Sequence, residues 1–103
     1  MEQTKDIQDN AKSIAQLLKI LANENRLKIL CQLIKGEKNV TELSNAIPTI
    51  SQSALSQHLS IMKAHKILDN QKQGLTVTYY INDERVIKIM QAIRDNYCDW
   101  IFI

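Results

Sequence analysis

Ser51-Gln52-Ser53-Ala54-Leu55-Ser56-Gln57-His58-Leu59-Ser60-Ile61-Met62-Lys63-Ala64-His65 is the stretch that decides the fold. Read at helical period, Leu55, Leu59 and Met62 share one face at i, i+4 and i+7. The opposite face carries Gln52, Ser53, Ser56, Gln57 and Lys63, and it contains no acid. A solvated surface helix is ordinarily laced with Glu–Lys pairs one turn apart, and this one has none. Hydroxyls and amides are what the edges of base pairs can pair with in a major groove. Fourteen residues of helix span roughly 21 Å, enough to cross a groove about 12 Å wide. Ser51 is the N-cap candidate, and the first-turn amides beyond it are free to face a phosphate. Taken alone, the segment fits an ordinary amphipathic surface helix equally well, so its surroundings decide.

Upstream, Thr41 is the N-cap candidate of a short helix through Leu43 and Ala46. Thr-Glu-Leu-Ser lacks the Glu or Gln three residues on that would complete a capping box. Pro48 stops this helix, and Thr49-Ile50 turn into the next. Two helices joined by a short turn, the second polar outward, make a helix-turn-helix. Further back, Leu27, Leu30, Cys31 and Ile34 mark a helix that Gly36 closes as its C′ residue. Asn39-Val40 suits a short edge strand. Ala11, Ile14, Leu18 and Leu21 recur at helical spacing from about Asp9 to Leu21, with Ile7 one turn earlier and Leu17 and Ile20 widening the stripe. That is more apolar surface than a peripheral helix needs, which points to a second subunit. Ala22-Asn23-Glu24-Asn25 separates these two helices.

Downstream, Ile67 and Leu68 lead into Asp69-Asn70-Gln71-Lys72, and Gln73-Gly74 supplies a turn. Leu75-Thr76-Val77-Thr78-Tyr79-Tyr80-Ile81 follows, rich in β-branched and aromatic residues. A hairpin directly after a recognition helix is a wing, whose tip residues Lys72 and Gln73 can reach backbone phosphate. Asn82 or Asp83 caps a last helix with an apolar stripe of Val86, Ile89, Met90, Ile93, Tyr97, Trp100 and Ile101. So apolar a terminal helix suits packing against a second copy. With the first helix it would build a two-fold dimer presenting two recognition helices to double-stranded DNA. The expected fold is mainly α with a β-hairpin wing: a winged helix-turn-helix, homodimeric through the first and last helices. The candidate DNA-binding residues are Gln52, Ser53, Ser56, Gln57, His58, Lys63, Lys72 and Gln73, with His58 either packing or touching phosphate.

A chain of 103 residues is expected to form one domain, 1–103. Two Gly and one Pro leave little room for turns, which favours helices. The net charge of +2 says little, but its distribution says more. Residues 51–80 hold three Lys and two His against one acid, Asp69, whereas from Asp83 onward four acids outnumber three bases. A basic centre beside an acidic tail fits one DNA-facing surface. No apolar run approaches a membrane span, and Met-Glu-Gln-Thr-Lys-Asp lacks the apolar core of a signal peptide. The chain is therefore expected to be cytoplasmic, away from membranes, with its two cysteines reduced at rest. There is no glycine-rich phosphate loop, metal-ligand cluster or nucleophilic triad pattern, so an enzyme is not expected.

The segments Ala22-Asn23-Glu24-Asn25-Arg26-Leu27-Lys28-Ile29-Leu30, Thr41-Glu42-Leu43, Ser51 to Leu59 and Thr78-Tyr79-Tyr80 resemble the bacterial ArsR/SmtB family of winged-helix repressors, in the family's order and over about residues 10–102. One departure is Pro48-Thr49-Ile50, where the family more often has a shorter, glycine-containing turn. The resemblance implies a homodimeric repressor that leaves its operator when an inducer binds. The founding metalloid sensors carry two Cys one residue apart at the third helix; Asn39 and Thr41 match those positions, and neither is a soft ligand. Zinc-type members use Asp and His on the last helix, which has no His here. No metal or cofactor is therefore expected.

Cys31 and Cys98 resemble instead the persulfide-sensing branch, in which one Cys on each of these two helices is joined by a polysulfide bridge. Lys28 and Lys35 near Cys31, and Arg94 one turn before Cys98, are cations of the kind that favour a thiolate, while Asp95 and Asp99 oppose it. The inducer would then be a reactive sulfur species. The same thiols would serve arsenite or peroxide sensing. If Cys31 is just a small buried residue on an apolar helix face and the cysteines are inert, a constitutive repressor remains.

Overall fold

The computed structural model describes residues 6–97. In chain order the elements are α1 (Ala11–Leu21), α2 (Glu24–Leu33), β1 (Lys38–Asn39), α3 (Val40–Ala46), α4 (Gln52–Ala64), β2 (Leu68–Gln73), β3 (Thr76–Ile81) and α5 (Glu84–Tyr97). This is the winged helix-turn-helix. The strands form one antiparallel sheet in the order β1-β3-β2, with Lys38 opposite Tyr79, Leu68 opposite Ile81 and Gln73 opposite Thr76.

Four of the five helix starts are fixed by a side chain, α1 being the one without such a cap. Asn23 Oδ1 accepts from the Asn25 and Arg26 amides at 3.0 and 3.1 Å, which starts α2. The third helix starts earlier than the Thr41 cue suggests. Asn39 is its N-cap: Asn39 Oδ1 accepts from the Glu42 amide at 2.8 Å, and Glu42 Oε1 accepts from the Asn39 amide at 2.9 Å. A capping box is thus present, two residues upstream of the position read from sequence. Asparagine at the end of an edge strand serves both elements, since its extended backbone pairs with Thr78 while its side chain caps. For α5 the cap is Asp83, whose Oδ1 accepts from the Arg85 amide at 2.9 Å.

Helix ends are equally local. α4 closes in a Schellman motif: the Lys66 amide donates to Lys63 O at 2.9 Å and the Ile67 amide to Met62 O at 2.9 Å. Lys66 takes the left-handed conformation this requires, φ 63°, where glycine is usual. The hairpin turn is Gly74-Leu75, one residue later than Gln73-Gly74. Gln73 still pairs with Thr76, and Gly74 at φ 63° occupies the first central position of a two-residue loop, the place a type II′ turn reserves for glycine.

The core lies between α2, the helix-turn-helix, the base of the wing and α5. Ile29, Leu30 and Leu33 meet Leu43, then Leu55, Leu59 and Met62, with Ile67, Leu68, Val86 and Met90 closing the far side. Burying each such side chain contributes about 1.5–3 kcal/mol. Ile47 and Ile50 are buried on either side of Pro48, so the proline-containing turn is anchored at both ends. α1 contributes only Leu21 to the buried set, and leaves Leu18 exposed. Ile7, just ahead of α1, and Tyr97, at the end of α5, are exposed as well.

Candidate nucleic-acid interface

α4 buries the three residues that its periodicity assigned inward, Leu55, Leu59 and Met62. Gln52, Ser53, Ser56, Gln57 and Lys63 are all exposed on the other side. Ser51 Oγ accepts from the Ala54 amide at 3.2 Å and lies 3.4 Å from Ser53 Oγ, so the helix opens on two hydroxyls. Its first turn holds no acid and its last turn holds Lys63. An acid-free, donor- and acceptor-rich face with a positive N-terminal dipole end can pair with base edges and meet phosphate. At the wing, Lys72 and Gln73 are exposed at the far end of β2. Leu75 beside them is 98% exposed.

His58 differs from its neighbours. It is half-buried, and its Nδ1 accepts from Arg26 Nε at 3.2 Å. Arg26 Nη1 donates to the Ile20 carbonyl at 2.9 Å. Burial, and then the guanidinium, push His58 below its ordinary value of 6.5. Arg26 is not among the candidate residues read from sequence. The available signal was that no acid stands three or four positions from it on α2, so a helical arginine lacked a local partner.

The second candidate feature is a groove of about 550 Å3 between α2 and α5. Leu27, Cys31 and Ile34 line one wall, Met90, Ile93 and Arg94 the other, and Lys28 lies at its edge. Cys31 is half-buried and unbonded to another cysteine. Lys28 holds Glu24 at 3.2 Å. Lys35, by contrast, is exposed and does not line this groove. Cys98 lies outside the described residues; Arg94, four positions before it in sequence, faces the groove that Cys31 lines. Among the described residues no three His, Cys, Asp or Glu side chains gather as a metal site, and no helix is long and apolar enough to cross a membrane.

Residues 23–68 match the family described as bacterial regulatory protein, arsR family. The transcriptional activator HlyU of Vibrio cholerae is 37% identical over 93 residues, covering 90% of this chain and 85% of that protein. The solved structure of the transcriptional repressor BigR from Xylella fastidiosa superposes with a TM-score of 0.85 at 28% identity, covering 95% of this chain and 99% of that one. A homodimeric winged helix-turn-helix DNA-binding domain from Mycobacterium bovis superposes with a TM-score of 0.72 at 25% identity, covering 92% and 88%.

Proposed function

The chain belongs to the arsR family of bacterial regulatory proteins, and from that premise we propose a cytoplasmic, homodimeric repressor that reads double-stranded DNA with α4 and is released when reactive sulfur bridges Cys31 and Cys98. The chain is a DNA-binding transcriptional regulator rather than an enzyme. The proposal adds the residues that read DNA, the sense of regulation and the inducer. One observation carries the DNA reading: the outward face of α4 offers amides and hydroxyls with no acid among them. Gln52, Ser53, Ser56 and Gln57 contact bases, while Lys63, Lys72 and Gln73 contact backbone. The exposed apolar residues Ile7, Leu18 and Tyr97 fit a partner protomer's matching face, which sets two recognition helices about 34–36 Å apart.

What supports the sulfur reading is that Cys31 and Arg94 line one groove, with Cys98 four positions after Arg94 in sequence. The chemistry needs a donor of sulfane sulfur, such as an organic trisulfide. One cysteine thiolate attacks the central sulfur and expels a thiolate, leaving an enlarged mixed polysulfide. The second cysteine thiolate attacks that same transferred sulfur and expels the other thiolate. The two cysteines are oxidised, the donor is reduced to two thiolates, and one sulfur atom stays in a trisulfide bridge. Tying α2 to the last helix, which also builds the dimer, changes the spacing of the two recognition helices. Only a difference in stability between the bound and unbound shapes can release DNA.

The test is operator selection from a pool of random duplexes, followed by mobility shift with and without an organic trisulfide. The reading requires a selected two-fold site, release by the donor, and loss of release in Cys31→Ser and in Cys98→Ser. Release of DNA from both variants defeats the sulfur mechanism. Better release by arsenite or peroxide than by the trisulfide would reassign the inducer. Binding indifferent to all three would leave a constitutive repressor.

A further inference from the structure

One guanidinium joins three helices. Arg26, in the first turns of α2, donates through Nη1 to the Ile20 carbonyl at 2.9 Å, near the end of α1. Through Nε it donates to His58 Nδ1 at 3.2 Å, in the middle of α4. Elsewhere α4 is held by its apolar face, which resists separation but tolerates rolling and sliding. A directed hydrogen bond across 32 positions of sequence fixes what that face leaves free. We propose that Arg26 and His58 are positioning residues for operator binding, with the guanidinium holding the recognition helix at the pitch that fits the groove, and that protonating His58 releases this clamp and weakens operator binding. The proposal rests on reading α4 as the recognition helix.

The chemistry gives the switch its direction. An Nδ1 that accepts belongs to a neutral ring carrying its proton on Nε2. A second proton must go to Nδ1, which then points an N–H at the N–H of Arg26. The acceptor is lost and two cations face each other. Arg26 is the charge whose field reaches the ring. At the junction of α1 and α2, Glu24 is held by Lys28 at 3.2 Å, and Lys19 in the last turn of α1 adds a further cation. On α4 the neighbours one turn away, Ala54, Leu55, Ile61 and Met62, carry no charge, and Lys63 and His65 are exposed cationic or titratable groups. Glu24 is the one acid in that set, and Lys28 already pairs with it; the others are cationic, titratable or uncharged. A His58 that simply touched phosphate would behave in the opposite sense, because its positive form would bind DNA more tightly.

Operator affinity at fixed salt, measured at about pH 8 and about pH 5.5, separates the two. Wild type is expected to weaken about three- to tenfold at the lower pH, one pKa unit between free and bound forms being a tenfold change. His58→Asn places an amide oxygen where Nδ1 stands, so it keeps the acceptor but cannot titrate. Whatever its affinity at about pH 8, that affinity should be unchanged at about pH 5.5. Arg26→Gln should bind more weakly at about pH 8 and lose the pH effect. Because that variant also loses the bond to the Ile20 carbonyl, the His58 ring is titrated by NMR in wild type as well, free and on the operator. Linkage requires a lower midpoint in the complex. A flat or rising wild-type affinity, a His58→Asn profile that tracks wild type, or a raised midpoint in the complex overturns the clamp. Absence of any specific binding at about pH 8 would instead sink the recognition-helix reading beneath it.

Discussion

Cys31 on α2 and Arg94 on α5 line opposite walls of one groove, and Arg94 stands four positions before Cys98 in sequence. That relationship links the two halves of the account. α2 carries Cys31 and Arg26 on successive turns, one lining the groove toward α5 and the other bonded to α4. A constraint applied at the thiol therefore acts on the helix that also holds the recognition helix.

Inward and outward faces of α4 should respond oppositely to truncation. Leu59 is buried to 1% exposure, and Leu59→Ala is expected to cost about 2–5 kcal/mol in urea unfolding. Exposed Gln57→Ala should change stability by less than about 0.5 kcal/mol. On the selected operator, however, it should lose about 1–3 kcal/mol of discrimination against a mutated base pair.

Lys66 marks a place where the fold accepts a cost. A lysine held at φ 63° carries about 1–2 kcal/mol of left-handed strain, part of which glycine would give back as chain entropy. Lys66→Gly should therefore raise stability by about 0.5–1 kcal/mol. Lys66→Val, branched at Cβ, should lower it. Thermal unfolding of the two variants beside wild type checks the sign of each.

The capping box at α3 can be tested with one atom group. Asn39→Ala removes the oxygen that receives the Glu42 amide and should cost about 1 kcal/mol. Asn39→Asp keeps an acceptor there and should recover most of the loss. A null effect from Asn39→Ala in urea unfolding would mean that β1 pairing, not the cap, starts α3.

Lys72 at the far end of β2 should contribute charge without sequence information. Lys72→Gln is expected to weaken selected and random duplexes by a similar factor, and to reduce the slope of log affinity against log salt by about one. A loss confined to the selected duplex would assign Lys72 to base reading.

Much of this was legible in the chain. Leu55, Leu59 and Met62 declared the inward face of α4 because helix period is a local property, and Gly74 announced the hairpin for the same reason. The misplacements were local competitions. Thr41 and Asn39 are both good N-caps, and the winner was decided by Glu42, which stands three residues from Asn39 but only one from Thr41. The turn slipped by one residue because glycine's positive φ belongs at the first of two loop positions rather than the second. The closure of α4 was hidden because a lysine occupies the position that glycine usually signals. Arg26 and His58 could not be paired from sequence, since nothing local ties positions 32 apart. The homodimer, the eight DNA-binding candidates and the inducer are proposed from the fold, the family and the chemistry of the side chains.

Peptide mapping of the trisulfide-treated protein by mass spectrometry tests the central claim most directly. At the donor concentration that releases the operator, the peptide containing Cys31 should be found joined to the peptide containing Cys98 of the same chain, with at least one extra sulfur between them. A Cys31 peptide left unmodified while DNA is released, or one joined only to another protomer, would contradict it.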